Sequence, residues 1–231
     1  MISETPAIGG DVLSQLDSGV YNPREYMRSE EPVNTATHAF GCIAAAAGGA
    51  AMLLDGHDAP LGCLITSLLF AAMLSLTYGV SALSHAVQTV ERKYLLRAWD
   101  QGVIYLLIVG SMTPLLYKFV PVPLMVPVLA LSWAAAIAGF VSKVVFRHRI
   151  DDTFSPVSYI ALGWIPSLAL CCYLPWGCLL WIAGGGVLYT VGVIFLRLDA
   201  RVRYFHAIWH LFVLSASSCH FYAIYRCVLT P

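Results

Sequence analysis

Charge is what this sequence is short of. Lys, Arg, Asp and Glu make up 11% of its 231 residues, where a soluble domain carries about 25%. The two signs cancel, 13 against 13, so nothing in the balance favours a nucleic-acid partner. The N-terminal stretch has no apolar run behind a basic one. Glu4, Asp11 and Asp17 stand where a cleavable signal peptide would need such a run, and none is expected. The seven cysteines show no C-x-x-C spacing, which speaks against a thiolate metal site. Cys171, Cys172 and Cys178 flank one short loop, where a disulfide is an alternative to free thiols. Cys42, Cys63, Cys219 and Cys227 fit apolar segments as small hydrophobes.

Long hydrophobic runs are what the chain has instead. Hydrophobic residues make up 59% of it and the mean hydropathy is +0.75, which marks an integral membrane protein. A spanning helix needs roughly 20 apolar residues, and charges mark where such runs end. Spans are expected over about 34–54, 60–87, 100–117 and 120–141. From Thr153 to Leu196, 44 residues carry no Lys, Arg, Asp or Glu, too many for one crossing. The run divides at Cys172-Tyr173-Leu174-Pro175-Trp176-Gly177, where Pro and Gly signal a turn. A seventh span covers about 204–225. The expected fold is all-α, a seven-helix transmembrane bundle over 31–228 behind a polar tail of residues 1–30.

Counting Lys and Arg by side orients the bundle. Arg24, Arg28, Arg92, Lys93, Arg97, Lys143, Arg147, Arg149, Arg197, Arg201 and Arg203 fall on one side, 11 in all, and Lys118 and Arg226 on the other. The positive-inside rule then places the N-terminus in the cytoplasm and the C-terminus outside, in the plasma or inner membrane. The opposite loops are too short to form an external domain. Small-residue stretches at Ala44–Ala51 and Gly184–Gly186 read as places where helices approach closely, not as phosphate loops.

That orientation fixes the depth of the polar residues. His206 and His210 lie at i and i+4 in the first turns of the last span, on one helix face. His85, with Ser81 one turn before it, ends the second span, and Asp100 begins the third. All lie in the cytoplasmic leaflet. An ionisable residue inside a membrane marks a functional site by default. Three imidazoles and one water complete a tetrahedral zinc site with an open position. Asp100 then holds that water, supports a histidine or acts as general base, or else caps the third helix. Ser81 either contacts the water or a substrate oxygen, or bonds back to its own helix. His38 reads as packing the entrance of the site. His220 lies too far along the helix to share the ion and reads as packed and hydrogen-bonded. His57 and His148 read as solvated loop residues.

Five blocks carry a resemblance. They are Glu31-Pro32-Val33-Asn34-Thr35-Ala36-Thr37-His38-Ala39-Phe40-Gly41; Ser81-Ala82-Leu83-Ser84-His85; Trp99 to Tyr105 leading into Gly110-Ser111-Met112-Thr113-Pro114; His206-Ala207-Ile208-Trp209-His210; and His220-Phe221-Tyr222. From Glu31 to Tyr225 the chain resembles the hemolysin III proteins of the progestin and adipoQ receptor superfamily, and more distantly the alkaline ceramidases. The resemblance implies seven helices around Zn2+ near the cytoplasmic face, with His85, His206 and His210 as ligands. It places Asp100 and Ser81 beside the metal-bound water. It implies a zinc-dependent hydrolase acting on lipid amides or esters that enter from the bilayer. The alternatives are a membrane-damaging pore, as the hemolysin name implies, and a receptor-like regulator with structural zinc. The short tail and external loops fit a ligand-binding receptor less well.

Overall fold

The computed structural model describes residues 30–146 and 155–230. Every regular element among them is helical: α1 (Glu31–Asp55), α2 (Leu61–Ala86), α3 (Val90–Phe119), α4 (Val122–Val144), α5 (Ser155–Ser167), α6 (Trp176–Leu198) and α7 (Phe205–Ile224), which runs on into a π-helical turn, Tyr225–Leu229. Six of these, all but α5, are long and apolar enough to cross a membrane. The protein is therefore a multi-pass, all-helical membrane bundle. Of the tail expected over residues 1–30, residues 1–29, like His148, lie outside the described ones, and Glu30 is buried.

Proline sets three of the starts. Pro60, Pro121 and Pro175 precede α2, α4 and α6 with φ of −52°, −57° and −56° and extended ψ. Each fixes an extended residue ahead of the first helical turn, where a missing N–H costs nothing. The sequence-based division of the long uncharged run holds, since α5 and α6 are separated by turns that end at Pro175. α5 itself has 13 residues, about 20 Å at 1.5 Å per residue, less than the roughly 30 Å hydrocarbon thickness.

One expectation is corrected. The segment Val90–Trp99, read as a charged loop, is the first part of α3, whose N-cap is Thr89. Asp100 therefore lies three turns inside the helix and does not cap it. The charges misled because Glu91, Arg92, Lys93 and Arg97 resemble a solvated loop. In the structure Lys93 is buried at 2% exposure and Arg97 is largely covered.

α3 is the hub. Its most apolar window is 67% buried, against 11% for α4 and 22% for α1. Leu107, Met112, Leu115 and Leu116 on α3 pack into a core with Phe70 and Tyr78 of α2, Met52 of α1 and Ile224 of α7. Large side chains such as Phe40, Ile43 and Leu131 face outward at about 70% exposure, as suits a surface solvated by lipid. Polar pairs fasten the short α5 to α3: Tyr105 Oη and Ser158 Oγ lie 2.7 Å apart, and Tyr159 donates to the Gln101 carbonyl at 2.8 Å. The cysteines, including Cys171, Cys172 and Cys178, are free thiols.

Glycines set helix spacing where a hydrophobic driving force between helices is weak. A Cβ on Gly192 of α6 would come within 2.8 Å of both Trp209 and Phe212 of α7, closer than carbon atoms pack. Gly192→Leu is expected to force α6 away from the turn that carries His210 and to cost about 1–3 kcal/mol through overpacking. Thermal unfolding in detergent micelles, compared with the wild type, measures it.

Candidate metal centre

The charge-free start of α7 places His206 and His210 on one face, and the last turn of α2 turns His85 toward them. The three ring centroids form a triangle with sides of 5.0, 5.0 and 4.6 Å. One ring nitrogen from each lies within 4.8 Å of the others, close enough to hold a single ion. His85 and His210 are fully buried, and His206 is 14% exposed at the mouth.

The second ring nitrogen decides whether the set fits a metal. His206 Nδ1 donates to Asp199 Oδ2 at 2.7 Å. His85 Nδ1 donates to Glu31 Oε2. His210 Nδ1 meets Thr37 Oγ1 at 3.0 Å, and that hydroxyl already donates to the Asn34 carbonyl at 2.9 Å, so the imidazole is the donor. These partners assign the proton of each ring to Nδ1 and leave three Nε2 lone pairs. Metal-bound histidines are held this way, with the far N–H on a carboxylate or other oxygen. A soft-to-borderline divalent ion that favours imidazole fits the set.

The sequence reading missed these three oxygen partners. Glu31, Asn34 and His38 sit at i, i+3 and i+7 on α1 and all are buried. That polar stripe on an apolar helix was the available signal. Asp199 gave none, since it reaches His206 across the turn between α6 and α7. That turn closes through Tyr204, the non-glycine residue with positive φ, 63°, among the described residues.

Glu31 does more than orient His85. Its Oε1 pairs with Lys93 Nζ at 2.8 Å and with Arg97 Nη2 at 3.5 Å. Arg97 lies along the His85 ring edge, with Nη1 3.3 Å from Nε2 and Nη2 3.1 Å from Nδ1. An ion taking the His85 lone pair must displace that guanidinium contact. Two carboxylates stand ready to keep the cation: Glu31, and Asp100, whose Oδ2 is 3.8 Å from Nη1.

Of the other sequence-derived residues, Asp100 and Ser81 both line the cavity that opens beside the histidines. The buried Ser84 hydroxyl lies 3.3 Å from Asp100 Oδ2 and 2.9 Å from the Ser81 carbonyl, so its single proton is shared between the two acceptors. His38 is buried against the cluster, stacked on His210 with centroids 3.6 Å apart, and neither of its nitrogens has a partner among the described residues. It packs the site as expected, though from inside. His57 is exposed and pairs with Asp58 at 3.3 Å.

The cavity has a volume of about 530 Å³, inside the usual range for small-molecule sites of about 300–1,000 Å³. Polar residues gather at its histidine end. Beyond them its walls are largely apolar, with Ile104, Leu107, Ile108 and Met112 from α3 and Leu179 and Val193 from α6; of their polar members, Ser111, Ser167 and Thr190 each donate to a carbonyl of their own helix.

Two outcomes follow from this geometry. His85→Ala and His206→Ala are expected to lose bound metal, while Glu31→Gln and Asp199→Asn weaken it about 10–100-fold by removing a charged acceptor from a ligand. Metal titration against a competing chelator resolves the two classes. Glu31→Ala further leaves Lys93 buried and unpaired, and is expected to cost about 3–5 kcal/mol, read from unfolding in micelles.

The family model described as "Haemolysin-III related" matches residues 26–221. The chain is similar to "Hemolysin-3" of Bacillus cereus, 33% identical over 87% of this chain and 92% of that protein. It is similar to "Hemolysin-3 homolog" of Bacillus subtilis, 31% identical over 87% and 96%. It is also similar to the human "Monocyte to macrophage differentiation factor", 30% identical over 90% and 87%. The buried histidine cluster and the multi-pass helical bundle thus sit in a chain that belongs to the hemolysin III family, within the progestin and adipoQ receptor superfamily.

Proposed function

We propose that this protein is an intramembrane, zinc-dependent hydrolase of lipid amides or esters. The observation that carries the reading is the junction of two features: three Nε2 lone pairs at one end of an apolar cavity, with Asp100 and Ser81 on its wall. His85, His206 and His210 would hold the zinc, which would supply Lewis acidity and lower the pKa of a water toward neutrality. The chain's own residues do the rest. Asp100 takes the proton from the attacking water and returns it to the leaving group. Ser81 donates its hydroxyl to the carbonyl oxygen of the scissile bond. Ser84 holds the Asp100 carboxylate through the 3.3 Å hydrogen bond. The apolar walls take the acyl chain and keep bulk water from the reacting end.

The same reading includes seven crossings, with α5 as the fifth, and the N-terminus in the cytoplasm. The strongest support is the charge bias between the two sides, 11 to 2. The histidine layer then lies one or two turns below the inner-leaflet headgroups of the plasma or inner membrane, where a lipid enters sideways.

The test is direct. Purified wild type should contain zinc and cleave ceramide or a related lipid. Asp100→Asn should retain zinc and lose hydrolysis by about 10²–10⁴-fold. Wild type without zinc, or Asp100→Asn with unchanged turnover, would overturn the assignment.

A lytic reading draws on the names of the bacterial relatives. Dye release from liposomes tests it. Release that is present in wild type and survives Asp100→Asn would support a pore separate from the metal centre. The apolar walls below the histidines argue for no release.

A further inference from the structure

The cavity carries a second polar point far from the metal centre. His220 lies ten residues beyond His210 on α7, about 15 Å deeper at 1.5 Å per residue. It is 4% exposed, lines the same cavity, and has no use in the chemistry proposed above. Its Nε2 lies 3.3 Å from the Ile182 carbonyl of α6. A carbonyl only accepts, so Nε2 carries the proton and Nδ1 holds a lone pair. That Nδ1 is buried and has no partner among the described residues.

The ring's seat is built. Gly185 of α6 leaves the space the imidazole fills: a Cβ there would lie 2.5 Å from His220 Cδ2 and 2.7 Å from Nε2. Tyr189 packs its ring edge-on, with centroids 5.6 Å apart, and its hydroxyl shares a 2.5 Å hydrogen bond with Ser217. The ring leaves an acceptor without a donor at the wall of the cavity, where an unmade hydrogen bond is costly.

We infer that His220 Nδ1 is a recognition point for a hydroxyl carried partway along the ligand's hydrocarbon chain, so that the cavity prefers hydroxylated acyl lipids over plain ones. The inference rests on the reading of the cavity as an acyl-chain site. The ligand's polar head lies in the histidine layer, its chain runs along the apolar walls, and a hydroxyl about 15 Å from the head donates to Nδ1. A site built to accept a particular hydroxyl discriminates against the analogue that lacks it, because the acceptor is then left unpaired.

Binding, not turnover, tests this. The full-length protein in detergent micelles is loaded with a fluorescent polyene fatty acid, which is displaced with oleic acid, with ricinoleic acid (hydroxylated two thirds of the way along the same chain), or with the methyl ether of ricinoleic acid. Ricinoleic acid is expected to displace the probe at about fivefold lower concentration than oleic acid, the worth of one neutral hydrogen bond of about 1 kcal/mol. The methyl ether, which keeps the oxygen but cannot donate, should lose that advantage. His220→Phe should bind oleic acid as the wild type does and show no preference for ricinoleic acid. Equal displacement by the two acids in wild type, or a preference that survives His220→Phe, overturns the subsite and leaves the hydrolase reading standing. No displacement by either acid overturns both the subsite and the acyl-chain reading of the cavity. Should His220→Phe not fold, the methyl ether decides in the wild type alone.

Discussion

The bundle hangs on the carboxylate of Glu31. It stands in the first turn of α1, buried, and takes His85 from α2 and Lys93 and Arg97 from α3. Three helices are thereby tied at one end by charge that water does not reach. Such a cluster is stable only as a whole, because the desolvation cost of each member is offset by the others. It also fixes the functional geometry. One Glu31 oxygen holds His85 Nδ1 and so fixes the ring beside the α7 pair, and the other holds Lys93 and Arg97, whose guanidinium lies against the edge of that ring. Thr37, one and a half turns on, does for His210 what Glu31 does for His85. α1 is thus a template for the site while contributing no ligand to the three-histidine set.

The rest of the architecture protects that end and leaves space behind it. α3 runs through the middle, and its buried face meets α2, α4, α5 and α7. Close approach at Gly192 and Gly41 lets α7 lie against α6 on one side and α1 on the other. α5 is short and held to α3 largely by tyrosine hydrogen bonds. Its thin layer of packing accounts for the cavity: the volume lies where a full-length, tightly apposed helix would have filled it.

Much of this was legible in the sequence. Long uncharged runs mark the helices, prolines mark the turns, and the positions of His85, His206, His210 and Asp100 near the ends of their runs put them in one layer. The failures share a cause. Charge was taken as a sign of exposure, so the start of α3 read as a loop and Asp100 as a possible cap. In fact Lys93 and Arg97 are inside because Glu31 is inside, a pairing between residues about sixty positions apart that no local pattern reveals. Asp199 was missed for a related reason. It lies seven residues before His206, but a turn with a left-handed Tyr204 intervenes, so helical periodicity says nothing of the contact. His38 was legible as polar on the right face, but not as a ring stacked on a ligand candidate.

The partners of the three imidazoles differ in a way that bears on how an ion would be held. His85 and His206 each face a carboxylate, while His210 faces a neutral hydroxyl. The two charged partners raise the basicity of their rings and offset the charge of a divalent cation. The neutral partner belongs to His210, the buried ring one turn further along α7. The two carboxylates also belong to different parts of the chain, Glu31 to the start of α1 and Asp199 to the end of α6. An ion bound to Nε2 of all three would therefore join α2 to α7 directly, and α1 and α6 through the hydrogen bonds behind the rings. Because binding to the folded state adds to its stability, occupancy would tighten the very helices that wall the cavity, and the volume open to a lipid would depend on the metal at its mouth.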